Sequence, residues 1–219
     1  MGRIARALAA GYPHHVLQRG NYRQPVFEED ADYRHYLSMI GEYGAKFGLS
    51  IWAYCLMSDH VHYICLPAKA DTLSKTLNIL NTRYSRYFND KKQRHGHLWQ
   101  SRFFSNILDE RHALEAMRFC ETNPLRKGLV ADATAYRWSS ARAHALGIPD
   151  ALLQDGCPIL PAAGDWKSFL DAPGDQGLIQ NIRINIHTGR PCGDREFVRM
   201  LESLLHRSLT PRLRGRPRK

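Results

Sequence analysis

The stretch Ala53–Leu66, AYCLMSDHVHYICL, constrains the fold more than any other part of this chain. Two short apolar runs flank the polar pair Ser58-Asp59, which reads as two strands joined by a tight turn. Side chains alternate along a strand, so His60 and His62 leave one face while Val61 and Tyr63 leave the other. The two histidine Cα atoms then stand roughly 6–7 Å apart. Both imidazoles can reach one ion at that spacing, each through a neutral ring nitrogen at about 2.0–2.1 Å. Two half-exposed polar residues without a ligand would show the same spacing. The apolar flanks favour the ion, because a polar face entering a core strand needs a partner.

Charge narrows the partner. The chain of 219 residues carries 31 Lys and Arg against 21 Asp and Glu, a net +10 with a pI near 9.6. Such an excess points to a polyanion, nucleic acid first and an anionic membrane second. The membrane reading fails for want of a basic amphipathic helix with a lipid-facing stripe, and no run nears the ~20 apolar residues of a span. The apolar part of the N-terminal ten residues is short for a secretory signal, so a cytoplasmic protein is expected. Five cysteines (Cys55, Cys65, Cys120, Cys157 and Cys192) form no Cys-x-x-Cys pair. Two of them fall in predicted core strands, which suits buried reduced thiols.

Taken in order, Pro13–Gln18 reads as a strand closed by Arg19-Gly20-Asn21-Tyr22-Arg23, a turn able to contact phosphates or bases. Tyr33, Tyr36, Leu37, Ile40, Tyr43 and Phe47 recur at helical spacing over Asp30–Phe47, and Gly48 ends that helix. The strands Ser50–Met57 and His60–Pro67 follow. A second helix, about Thr72–Gln93, sets Leu73, Leu77, Leu80, Tyr84, Tyr87 and Phe88 on one face and Lys75, Arg83 and Arg86 on the other. Its tyrosines, lying on the apolar stripe, read as core. His95 and His97 lie in a loop where strand alternation does not hold, so no metal is expected there. Trp99-Gln100-Ser101-Arg102 leads into a strand, Phe103–Leu108. A third helix starts at Asp109-Glu110 and stops near Thr122, before Pro124. Arg126 and Lys127 lie in the loop that follows. Tyr136–Ser140 opens a last short helix, ending near Gly147. Residues 149–178 hold four prolines and four glycines and read as a linker. A final helix spans Asp194–His206, and the basic tail from Arg212 is expected to order only on phosphate.

The order strand–helix–strand–strand–helix–strand–helix suggests a ferredoxin-like α+β sandwich with its antiparallel sheet covered on one face. Three motifs occur in sequence within it. They are LMSDHVH at Leu56–His62, LWQSRF at Leu98–Phe103 and ETNPLRKGLV at Glu121–Val130. With these the chain resembles the single-tyrosine HUH transposases, and among them the REP-associated tyrosine transposases, over roughly residues 12–147. Residues 1–148 are then expected to form the HUH single-strand DNA transposase domain, with 149–219 as a basic C-terminal extension.

The resemblance implies a metal-assisted transesterification of single-stranded DNA. His60, His62 and Asn123 would hold Mg²⁺ or Mn²⁺, and a tyrosine would form a 5′-phosphotyrosine link. Positions 119 and 123 share a helix face, so nucleophile and ligand can reach one ion. The family reads Tyr-x-x-x-Asn-Pro at this point, whereas this chain has Phe119. Phenylalanine has no hydroxyl and cannot form the link. The chain therefore reads as a catalytically disabled form, either engineered to trap a DNA complex or a natural chain that binds without cutting. The engineered case is favoured, since Tyr→Phe removes one atom and keeps the packing. Rescue by Tyr84 or Tyr87 would need the second helix to face the metal. Two rivals remain: a hairpin-binding module that never cuts, and a phosphodiesterase using water on the same ion.

The implied substrate is a short palindromic hairpin with a tetranucleotide on its 5′ side. Arg19, Asn21, Arg23, Trp99, Gln100 and Arg102 are candidates for reading or stacking on its bases, with core packing the competing role for Trp99. Arg83, Arg126 and Lys127 are further candidates for binding this DNA. In the tail, Arg214, Arg216 and Arg218 surround Gly215 and Pro217 in an AT-hook-like pattern, with plain phosphate binding as the alternative. A monomer or a homodimer is compatible with the residues.

Overall fold

A computed structural model describes residues 6–153, 157–160 and 165–210. The tail arginines Arg214, Arg216 and Arg218 therefore lie outside the described residues. Four strands, β1 (His14–Arg19), β2 (Leu49–Met57), β3 (His60–Pro67) and β4 (Phe104–Ile107), form one antiparallel sheet in the order β2-β3-β1-β4. With α1 (Asp30–Phe47) and α2 (Thr72–Lys91) between them, this is the expected ferredoxin-like order. Ser58-Asp59 is a two-residue loop, and Met57 pairs with His60 across it.

Helix α1 begins where Asp32 accepts the backbone N–H groups of Glu28 and Glu29, a capping box with Glu29. It ends at Gly48, whose φ of 76° is left-handed. Asp32 is fully buried yet paired with Lys91 at 2.6 Å and Tyr87 at 3.0 Å, so the charge pins α1 to α2. Burial opposes that ionised state, but these partners still hold its carboxyl below the usual range.

Strand β2 carries an irregularity between Ile51 and Ala53. Trp52 and Ala53 both join the same apolar cluster, and alternation resumes with Tyr54 on the other side. One face of the sheet (Val16, Tyr54, Leu56, Val61, Tyr63) packs on α1 and α2. Phe27, Tyr36, Tyr84 and Trp99 form its aromatic centre.

The opposite face is covered as well, which corrects the expectation of a sheet covered on one side. Helix α3 (Glu110–Glu121) lays Ala113, Ala116, Met117 and Cys120 over Cys55, Met57 and Ile64. The short α4 (Asn123–Arg126) continues from it, and α5 (Ala141–Leu146) packs beside it. The stretch read as a linker contains α6 (Trp166–Asp171) and the start of α7 (Gln176–Thr188). Its Trp166 and Leu170 are buried in the α3-side core, as is Ile182 further along α7, so apolar burial holds the segment despite its Pro and Gly content. Helix α8 (Arg195–Leu205) puts Leu201 against Ile107, Ala7 and Ala9. All five cysteines are buried free thiols.

Candidate functional site

Strand alternation carries His60 and His62 to the α3 side of the sheet, while Val61 and Tyr63 enter the α1–α2 core. On β1 the same alternation brings His15, Leu17 and Arg19 to that side, next to β3. Together with Phe119 from the end of α3 and Asn123 from the start of α4 they line a cavity of about 210 Å³. Arg23, Asp59 and Lys127 edge it, and Arg183 and His187 close it from α7. Among the described residues lining it, Asp59 is the only acid. None of the lining side chains bears a hydroxyl.

The histidines are held by partners of their own. His60 donates Nδ1–H to Asp59 Oδ1 at 2.5 Å, and its Nε2 accepts Asn123 Nδ2 at 3.0 Å. That bond with His60 also holds the Asp59 carboxyl below the usual range. His62 Nδ1 lies 2.8 Å from Nε2 of His15, whose ring stacks on it at 5.1 Å. A proton on His62 Nδ1, given to His15, leaves the His62 Nε2 lone pair free for a ligand. Burial pushes His62 well below the usual imidazole range, helped by the charges of His15 and His60. Burial and His187 bring His15 down to about 3. Both rings are neutral near pH 7, the state a metal ligand requires.

The donor set is thus two imidazole nitrogens and one amide, with a carboxylate and a third imidazole orienting the rings. Among the described residues no group of three His, Cys, Asp or Glu is arranged to hold a metal. His60, His62 and Asn123 fit a divalent ion only with oxygens from water or phosphate completing its shell. Two imidazoles suit Mn²⁺ better than the harder Mg²⁺.

Phe119 stands where the motif carries a tyrosine. Its ring centroid is 6.0 Å from that of His62 and 6.3 Å from that of His15. Arg126 stacks on it at 4.0 Å while donating to Phe119 O at 2.7 Å and to Thr122 Oγ1. The guanidinium of Arg183 lies 5.4 Å from the same ring. Behind it, the buried Glu121 accepts from Ser140 and His144 through Oε1 and from Trp166 through Oε2. That network ties the end of α3 to α5 and α6.

The remaining expected residues fall into two groups. The turn 19–23 and the segment 97–102 are joined by backbone bonds, Asn21 N to Leu98 O at 2.8 Å and Gln100 N to Arg19 O at 2.9 Å. Arg19 and Arg23 line the histidine cavity, whereas Gln100 and Arg102 line a separate hollow with Thr82 and Ser85 of α2, and Asn21 lines neither. Gly20 is required here, because a Cβ would sit 2.3 Å from Gln24 O. Tyr22 and Arg23 both take left-handed backbone (φ 50° and 57°), and Tyr22 is 94% exposed.

Trp99 itself is buried, its Nε1 donating to Asn81 O, so it serves the core and not a stacking platform. Arg83 lies on the far side of the sheet in the α1–α2 groove, near Tyr43. Tyr84 is buried on that far side too, bonded to Val26 O, and Tyr87 is bonded to Asp32. Neither tyrosine faces the histidines.

Sequence reasoning missed His15, Asp59, Arg183 and His187. Alternation back from Arg19 would have found His15. Arg183 and His187 are spaced i, i+4, but residues 179–193 lie between the expected linker and the final helix, with no element expected there.

A four-strand antiparallel sheet with paired histidines opposite a helix ending in Asn-Pro defines an α+β domain with a two-histidine site. Residues 10–122, just over half of the chain, match the family model described as Transposase IS200 like, and the chain belongs to the IS200-like transposase family. A search of curated proteins finds no match. Among solved structures the chain is similar to the REP-associated tyrosine transposase bound to a REP hairpin. The TM-score there is 0.54 at 17% identity, over 75% of this chain and 93% of that one. At that identity the likeness establishes the fold. A protein of Deinococcus radiodurans R1 described as a transposase aligns at a TM-score of 0.39 and 15% identity, over 55% of this chain and 97% of that one.

Proposed function

We propose that this chain binds single-stranded or hairpin DNA of the REP type at the His60–His62–Asn123 cavity and does not cut it through a tyrosine. The observation that carries the reading is the phenyl ring of Phe119 among those histidines, in a cavity rimmed by cations and lined by no hydroxyl. Arg19, Arg23 and Lys127 supply positive charge where a phosphodiester would enter, and Asp59 answers only part of it. His60 and His62, oriented by Asp59 and His15, would hold Mn²⁺ or Mg²⁺ together with Asn123. Such an ion, when bound, polarises a phosphoryl oxygen and stabilises charge on a leaving 3′ oxygen. Phe119 can pack against the substrate but cannot attack it. The position is otherwise ready: Arg126 fixes the ring from behind, and α3 brings it one turn from Asn123.

The test is strand cleavage of a labelled REP-type hairpin oligonucleotide with Mn²⁺, comparing the chain with Phe119→Tyr. The expected result is that both bind and only Phe119→Tyr cuts, leaving protein covalently attached to DNA. Cleavage by the parent without attachment would replace this reading with hydrolysis by water. Absence of binding by both would end the DNA reading altogether.

A further inference from the structure

We infer that Arg183 of α7 holds a phosphodiester of the bound strand against position 119, so that the segment after the family-matched residues completes the DNA site. This rests on the DNA-binding reading above and adds to it a residue from outside residues 10–122.

Helix α7 is anchored by Ile182 and Ile186, both buried. Those two place Arg183 and His187, exposed and one turn apart, along the wall of the cavity. Arg183 makes no hydrogen bond or ion pair among the described residues. A second guanidinium, Arg126, lies on the same Phe119 ring. It is already committed to Phe119 O and Thr122 Oγ1.

Two like charges at one ring repel unless an anion lies between or beside them. The conflict is visible in Arg126, which desolvation and then the charge of Arg183 bring down to about 10. Among the described residues lining the cavity nothing relieves it, since their one acid, Asp59, is engaged by His60. A phosphate oxygen would relieve it, and a guanidinium fork is built to bind one. The chemistry asks for a diester of a strand threading the cavity, because Arg19, Arg23 and Lys127 continue the cationic path beyond Arg183.

The experiment measures binding of a fluorescent hairpin with a single-stranded extension, by anisotropy, across a range of salt. The parent, Arg183→Gln, Arg183→Lys and, as a charge control, Arg199→Gln on the exposed side of α8 are compared. Arg183→Gln should weaken binding by roughly tenfold and lower the slope of log K against log[salt] by about 0.7, one single-strand phosphate contact. Arg183→Lys should restore the slope with only part of the affinity, and Arg199→Gln should stay within about twofold of the parent. Equal loss in Arg183→Gln and Arg199→Gln would reduce the effect to net charge and overturn the assignment. Parent-like binding and slope in Arg183→Gln would leave the DNA reading standing and remove Arg183 from it. A parent that does not bind at all would remove both.

Discussion

Trp166→Phe tests how firmly the end of α3 is held, because among the described residues the indole N–H is the single donor to Oε2 of Glu121. That bond is 2.7 Å long, and the carboxylate is fully buried, with Ser140 and His144 both on the other oxygen. Phenylalanine keeps an aromatic ring in the cluster with Leu170 and Met117 but leaves Oε2 without a donor. A hydrogen bond to a charged acceptor is worth about 1.5–3 kcal/mol, and leaving the acceptor buried and unpaired forfeits most of it. For a chain of this size a loss of about 2–3 kcal/mol lowers Tm by roughly 4–12 °C. Calorimetry and urea unfolding of the parent, Trp166→Phe, Glu121→Gln and the double variant separate this bond from the smaller ring. The cycle should give a coupling of about 1–2 kcal/mol. A single variant within about 0.5 kcal/mol of the parent, or a coupling near zero, would refute the reasoning. The network would then not be what docks α6 on α3.

Three other expectations follow from the same geometry. His14 is fully buried, donating to Tyr12 O and accepting from Ala9 N–H, and burial lowers it to about 4 against the backbone bond that raises it. The unfolded chain therefore binds a proton between about pH 6.5 and 4 that the native state refuses, and stability falls as pH falls through that window. Unfolding at pH 7.5 and 5.0 should differ by about 2 kcal/mol from this residue, and His14→Gln should shrink the difference; an unchanged difference counts against it. Millimolar Mn²⁺ should raise the Tm of the parent, by about 2.7 kcal/mol of stabilisation at a hundredfold excess over Kd, and His62→Ala should abolish the rise; equal shifts in both would place the ion elsewhere. Tyr22→Ala should weaken binding of a single-stranded extension by about 1–3 kcal/mol if Tyr22 stacks on a base, while Tyr22→Trp retains it. Equal affinity of Tyr22→Ala and the parent would make the exposed ring a bystander.

What the sequence by itself determined is what short-range periodicity can encode. Alternation placed His60 and His62 on one face, and the i, i+4 spacing of Phe119 and Asn123 put both toward one site, although α3 itself ends at Glu121 and Asn123 opens α4. The apolar stripes of α1 and α2 and the strands around Ser58-Asp59 were legible for the same reason, since local burial patterns repeat every two or about 3.6 residues. The order of those elements suggested the ferredoxin-like sandwich.

The tertiary structure decided which faces adjoin. Trp99, next to a basic segment in the chain, is core because Tyr36 and Tyr84 arrive there from two other helices. His15 orients His62 only because β1 lies between β3 and β4. Helix α7 has few buried residues and no strong apolar stripe, so its pattern was too weak to read. Its course over α3 and β4, and with it the presence of Arg183 and His187 at the cavity, follows from the need to cover the second face of the sheet. No local pattern records that need, because the apolar area it buries belongs to residues far apart in the chain.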